Sequence, residues 1–183
     1  AKITGKPYVS EKNRVAARIS FKKAEIFIRN RDFLQAEPLL EDAYRLDPLS
    51  WPHAFYRAQA RYYTKKTLLN IALKELDASA EPWTPTFPVQ RPSVEPPKNA
   101  MEQTRQRELQ ENLNRAMRFA EIQVLAANLL KLENRSQESM ARFRKALEAD
   151  SENRDAQRAV RMEEKKDTPS SGGFFDRFLG KKA

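Results

Sequence analysis

Cysteine is absent from this 183-residue chain, histidine occurs once and glycine four times. The missing cysteine removes disulfides, thiolate metal sites and cysteine nucleophiles together. The single imidazole, His53, follows Trp51-Pro52 at an expected helix start, where a solvent-facing or capping role suits it better than that of a general base. So few glycines leave no phosphate-cradling loop, and neither a nucleophile motif nor a metal-ligand spacing is present. Carboxylate pairs exist, Glu41 with Asp42 and Glu148 with Asp150, but on helical surfaces of the kind that face water. No catalytic, cofactor-binding or metal-binding residue is therefore assigned, and the chain is not expected to be an enzyme. A run of about 18 apolar residues is missing too, so no segment is expected to span a membrane. No secretory signal opens the chain, which begins with Ala1, and the expected location is cytoplasmic, peripheral at a membrane if the C-terminal end attaches to one.

What is present is helical patterning. A hydrophobic content of 40% supports one core in one or two small domains. Two stretches carry the same ladder of small and large residues. The first is Ala24, Phe27, Ala36, Leu40, Ala43 and Pro48, and the second is Ala127, Leu130, Ser139, Phe143, Ala146 and Ser151. Small residues at fixed places let two antiparallel helices approach closely, while the larger ones fill the space between neighbouring pairs. The spacing resembles the tetratricopeptide repeat family, whose unit of 34 residues contains helix A, a turn, helix B and a terminal proline.

The resemblance implies an all-α fold, a short right-handed solenoid of antiparallel helix pairs with about three units. The first runs from Ala17, with Arg31-Asp32-Phe33 at the interhelical turn and Leu46-Asp47-Pro48 at the end of helix B. It departs from the pattern at Ser20 and Lys23, where the family has a large aromatic and a leucine. The second begins near Trp51, with Ala54 and Ala58 on helix A and Ala72 and Leu76 on a helix B spanning 67–78. The third starts near Ala120, and residues 155–166 read as the polar capping helix that closes a solenoid. The expected organisation is a lead-in at 1–16, two units at 17–79, a proline-rich linker at 80–99, then an extended helix, third unit and cap at 100–166, and a tail at 167–183.

Pro82, Pro85, Pro88, Pro92, Pro96 and Pro97 crowd the linker. Proline removes backbone donors and disfavours helix in the preceding residue, so the segment is expected to be extended. It is either a spacer or a lid in which Trp83, Phe87 and Val89 pack back onto the repeat surface. Asn99 followed by Glu102 has the spacing of a capping box, and one helix over 100–132 is the simplest continuation. Its first half carries only a thin apolar stripe and is expected to project beyond the neighbouring repeat or to pair with a partner helix; ordinary packing is the first reading of such a stripe and self-association the second.

The resemblance also implies where a ligand would sit, on the concave face made by the A helices. In the first unit that face includes Arg18, Phe21, Lys22, Glu25, Ile28 and Arg29; in the second it includes Phe55, Tyr56 and Gln59, with Tyr62 and Tyr63 close behind. Arg18, Lys22 and Arg29 recur at intervals that place them on one side of a helix. The expectation is an aromatic, basic groove that binds an acidic or apolar peptide or helix, with many of the aromatics filling the space between helices. The carboxylate clamp of chaperone-binding members needs lysine at the fifth place of a unit and asparagine at the ninth. Here Phe21 and Glu25 stand there, Asn128 alone matches in the third unit, and chaperone tails are disfavoured partners.

A net charge of +9 and an isoelectric point near 9.8 favour nucleic acid, anionic lipid or an acidic protein. No nucleic-acid module is recognisable, so nucleic acid ranks last. The C-terminal end offers a second contact. After the tether Thr168-Pro169-Ser170-Ser171-Gly172-Gly173, the residues Phe174, Phe175, Phe178 and Leu179 fall on one face of a helical turn with Arg177 and the lysines beside them. The leading expectation is a non-enzymatic adaptor or scaffold that holds a partner in the groove, and the alternative is a membrane-surface tether acting through this end, an attachment to an anionic membrane surface.

Overall fold

A computed structural model describes residues 8–167. Seven α-helices account for most of them, and no strand occurs among the described residues. The helices are α1 (Glu11–Arg29), α2 (Phe33–Leu46), α3 (Trp51–Tyr63), α4 (Leu69–Ala80), α5 (Ala100–Leu132), α6 (Ser136–Ala149) and α7 (Arg154–Asp167). Local chemistry sets several of these starts. Ser10 caps α1 by accepting from the Asn13 amide at 3.2 Å, and Asp32 caps α2 by accepting from Gln35 at 3.2 Å. Asn99 caps α5 at 2.8 Å from the Glu102 amide, while Glu102 reaches one residue beyond the expected box and accepts from the Lys98 amide at 2.6 Å.

The helices pair as α1 with α2, α3 with α4 and α5 with α6, and each pair turns in the same way. Arg31, Lys65 and Asn134 all occupy the left-handed region, with φ of 57°, 59° and 59°. The residue after each donates to a carbonyl five positions back, Asp32 to Phe27 and Lys66 to Arg61 at 2.9 Å, and Arg135 to Leu130 at 3.0 Å. This closure satisfies carbonyls that a helix end leaves orphaned. Arg31 and Lys65 lie one repeat period apart, as the spacing of the alanines predicts. A side chain with a Cβ is costly at such a position. Arg31→Gly is therefore expected to raise the unfolding free energy by up to about 1 kcal/mol, read as a higher urea midpoint at unchanged slope.

One boundary differs from expectation. Helix α4 starts at Leu69 and ends at Ala80, two residues later than the 67–78 span. The hydroxyl of Thr67, the residue best suited to cap an earlier start, finds no hydrogen-bond partner, and Leu68 precedes the helix without a side-chain cap. The small and large positions nevertheless hold, since Ala72 and Leu76 are both fully buried.

Three apolar clusters tie the pairs together. Phe21, Ala24, Ala36, Leu40, Ala43 and Ala60 join α1, α2 and α3. Ala58, Leu73, Leu76 and Ala80 pack against Phe119, Ile122, Leu125 and Leu129, which joins α4 to the second half of α5. Ala120, Val124, Ala127, Phe143, Ala146 and Ala156 join α5, α6 and α7, with α7 covering the end of the stack. In the third unit Ser139 stands at the small position and donates its hydroxyl to the Ala127 carbonyl at 2.8 Å, so a polar residue closes the pair without an unmet group. Arg142 adds a polar link between units, pairing with Asp77 of α4 and donating to Gln123 at 2.8 Å.

The proline-rich segment does not interrupt this stack. After a single 3-10 turn, Glu81–Trp83, residues 84–99 contain no helix or strand and run along the first half of α5. Their backbone groups are met by side chains of that helix. Asn112, 2% exposed, accepts from the Thr86 amide at 2.9 Å and donates to the Phe87 carbonyl at 2.9 Å. Arg115 donates to the Thr84 carbonyl at 3.2 and 3.3 Å. Trp83 packs back beneath the Arg118 guanidinium at 4.4 Å, the arrangement of the lid alternative, whereas Phe87 stays 41% exposed. The segment is thus held along the first half of α5 by polar side chains of that helix.

Candidate functional site

The first helices of the three units, α1, α3 and α5, place matching positions side by side. The fifth position is Phe21, Phe55 and Val124, and the ninth is Glu25, Gln59 and Asn128. A pocket of about 340 Å³ opens on this face, lined by Phe55, Tyr56 and Gln59 of α3, Glu121, Val124, Leu125 and Asn128 of α5, and Asn153 and Asp155 at the start of α7. Val124 and Leu125 are buried and form its apolar floor. Phe55 and Tyr56 form an aromatic wall, their rings edge to face with centroids 4.8 Å apart.

The expected groove residues divide into three groups. Phe55, Tyr56 and Gln59 come together in the pocket. Phe21 and Tyr62 serve contacts between helices instead. Phe21 is 9% exposed and lies against His53 and Tyr56, with ring centroids 5.1 and 5.7 Å away. The Tyr62 hydroxyl donates to Glu133 at 2.5 Å, and burial together with that carboxylate pushes its ionisation up to about 12. Arg18, Lys22 and Arg29 are exposed on α1 and none of them lines the pocket. Lys22 is instead paired with Glu25 at 2.9 Å.

The charge of this pocket differs from that of the α1 stripe. The basic stripe belongs to the outer helix α1, and the pocket itself is walled by carboxylates and lacks a basic side chain. Burial raises the ionisation of Tyr56, and the charges of Glu121 and Glu25 add to the rise. Desolvation raises the Glu121 carboxyl above its ordinary value against the pull of Arg118, and Asp150 adds to the rise. Neither Glu121 nor Asp155 forms an ion pair with another described residue.

His53 also differs from expectation. It is 5% exposed rather than solvent-facing, and Nδ1 donates to the Asp47 carbonyl at 3.0 Å, which ties the start of α3 to the end of α2. The role is a helix-end cap, although one in the interior. Among the described residues no group of three or more metal-ligating side chains is assembled, and no helix is long and apolar enough to cross a membrane. The tail residues Phe174, Phe175, Phe178 and Leu179 lie outside the described residues.

Asn112 and Arg118 are structural anchors that sequence reasoning passed over. The signal for Asn112 was weak, an amide in a helix half already dense in amides and charges. Arg118 is separated in sequence from both Trp51 and Trp83, a distance that only the fold removes.

No family model matches the chain, and no curated protein does. Solved structures do. The N-terminal domain of stress-induced protein-1 (STI-1) from C. elegans aligns over 84% of this chain and 99% of its own length, with a TM-score of 0.53 at 15% identity. The Arabidopsis OM64 TPR domain aligns over 84% and 98%, with a TM-score of 0.52 at 15% identity. Identity at this level speaks for the fold alone, and with the repeated turns and stacked pairs it establishes a tetratricopeptide-repeat-like helical array.

Proposed function

We propose that this chain is a non-enzymatic interaction module that holds a peptide or helix from a protein partner on the face made by α1, α3 and α5. The observation that carries this is the pocket between α3, α5 and α7, where an apolar floor and an aromatic wall meet two side-chain amides, Gln59 and Asn128. Neither amide is engaged by another described residue, so both are available to a peptide backbone, which needs a donor and an acceptor at each residue. Apolar floor with a few convergent polar groups is the general composition of a binding site. The helical array around it is held by packing, which keeps the surface formed before a ligand arrives.

A random-peptide display selection against the full chain tests the reading. Enriched peptides are expected to lose at least about tenfold in affinity, roughly 1.4 kcal/mol, for Tyr56→Ala or Asn128→Ala. Peptides indifferent to both substitutions would show that binding lies elsewhere.

The tether reading keeps one observation in its favour. Arg154, Arg158, Arg161 and Lys165 share a face of α7, the helix that leads into the tail, and line a shallow depression there. Such a row attracts an anionic surface, at about 1 kcal/mol per basic residue near lipid. Flotation of the full chain with anionic vesicles, alongside a selection that returns no groove-dependent peptide, would favour the tether over the groove.

A further inference from the structure

We infer that the pocket between α3, α5 and α7 accepts a lysine or arginine side chain carried by an otherwise apolar partner peptide, an assignment that rests on the groove reading above. The expectation from sequence was an acidic or apolar partner for a basic, aromatic groove; the lining of this pocket favours a basic group within an apolar peptide. Glu121 of α5 and Asp155 of α7 both line a pocket that Val124 and Leu125 line with apolar surface. Asp155 has a local role as well, in the first turn of α7 at the positive end of the helix dipole, but Glu121 lies mid-helix and has none.

No cation lines the pocket, and Arg154 and Arg158, the basic neighbours of Asp155 on α7, line a separate depression of that helix. Lys22 is held by Glu25. Arg118, which acts on Glu121, has its guanidinium over the Trp83 ring at 4.4 Å and within 5.8 Å of the Trp51 ring. In a chain of formal charge +9, this pocket is thus a local region of the other sign.

A lysine or arginine matches that surface by parts. Its methylene stem lies along Val124, Leu125 and the Phe55 ring, its charged head reaches the carboxylates, and the Tyr56 face lies within the range of a cation–π contact. A glutamate at the same place would meet two like charges, and juxtaposed like charges are the usual device for rejecting a wrong partner. The protein's overall charge repels a basic peptide, so preference for one has to come from the pocket.

The test uses the full chain and two fluorescently labelled, capped nonapeptides with the same phenylalanine and leucine scaffold, one bearing lysine at three places and the other glutamate. Fluorescence anisotropy at physiological salt is expected to show the lysine peptide binding about tenfold tighter. Combining Glu121→Gln with Asp155→Asn is expected to abolish that preference, and Arg18→Gln to leave it unchanged. Thermal melts of each variant verify that it is folded.

Tighter binding of the glutamate peptide, or a preference that survives neutralisation of both carboxylates, overturns the inference. The groove reading survives that result if Tyr56→Ala still weakens whichever peptide binds. Indifference of both peptides to Tyr56→Ala removes the groove reading and this inference together. If the lysine peptide binds only when Arg177, Lys181 and Lys182 are replaced by glutamine, the pocket's occupant is the chain's own tail, and a separate partner is overturned.

Discussion

Leu40→Ala is expected to lower the unfolding free energy by about 2–5 kcal/mol, among the largest effects of any single truncation in the first unit. Leu40 is fully buried among Phe21, Ala24, Ala36, Ala43 and Ala60. Four of these neighbours are alanines already set close by the helix packing, so they have no longer side chains to swing into the vacated space. The site cannot collapse, and the cavity contribution adds to the lost transfer energy. In a stack stabilised by nearest neighbours, the damage should also be local. Hydrogen exchange is expected to accelerate in α1 and α2 while amides of α5 and α6 keep their protection. Leu34→Ala, at a side chain 73% exposed on the same helix, is the control and should change stability by less than about 0.5 kcal/mol. Equal losses for the two leucines would contradict the assignment of Leu40 to the interior.

Arg57→Ala is the second large effect. The guanidinium donates to both oxygens of Glu41 at 2.6 and 3.0 Å, lies 3.5 Å from Glu75, and stacks 4.5 Å from the centre of the Tyr44 ring. Only 15% of the side chain is exposed. It therefore joins α2, α3 and α4 at one point, and its loss leaves Glu41 without its partner while Glu75 retains Arg61 at 2.9 Å. Breaking a buried pair from one side costs about 3–5 kcal/mol, but Glu41 is 46% exposed and partly screened, so a loss of about 2–3 kcal/mol is expected. Arg57→Lys should recover only part of it, because an ammonium cannot reproduce the two parallel bonds of the fork.

The same contact sets an acid limit. The hydrogen bond from Arg57 holds the Glu41 carboxyl below its ordinary value of 4.5, against the opposing effect of burial. A carboxyl depressed in the folded state contributes stability that is complete above its unfolded value and is lost as pH falls through the lower folded value. Urea midpoints of the parent chain are thus expected to decline through the acid range below 4.5, and the difference between the parent and Arg57→Ala to narrow there. A difference that stays constant with pH would assign the Arg57 effect to packing alone.

Much of the fold was legible because helix pairing depends on residue size at fixed intervals, and size is written in the sequence. Ala24, Ala36, Ala43, Ala127 and Ala146 are all fully buried where the ladder put them. The three A–B turns were less evident, since Arg31, Lys65 and Asn134 carry side chains that usually avoid the conformation they adopt. The path of the proline-rich segment was not legible in detail, as its docking depends on Asn112 and Arg115 meeting its carbonyls across a gap in sequence. In the groove, the aromatic part of the reading rested on local helical spacing, and Phe55, Tyr56 and Gln59 do meet in one pocket. Its charge depended on which distant helices face each other. Glu121 and Asp155 belong to α5 and α7, and no periodicity within α1 or α3 announces them.

The stack at Arg118 has a practical consequence. Both tryptophans of the chain, Trp51 and Trp83, lie within 6 Å of this one guanidinium and at the junction where α3, the 3-10 turn and α5 meet. The protein's intrinsic indole emission is therefore a gauge of a single seam. It reports whether the proline-rich segment is seated on the long helix, and through Trp51, whose ring centroid lies 5.7 Å from that of Phe55, it also borders one wall of the pocket.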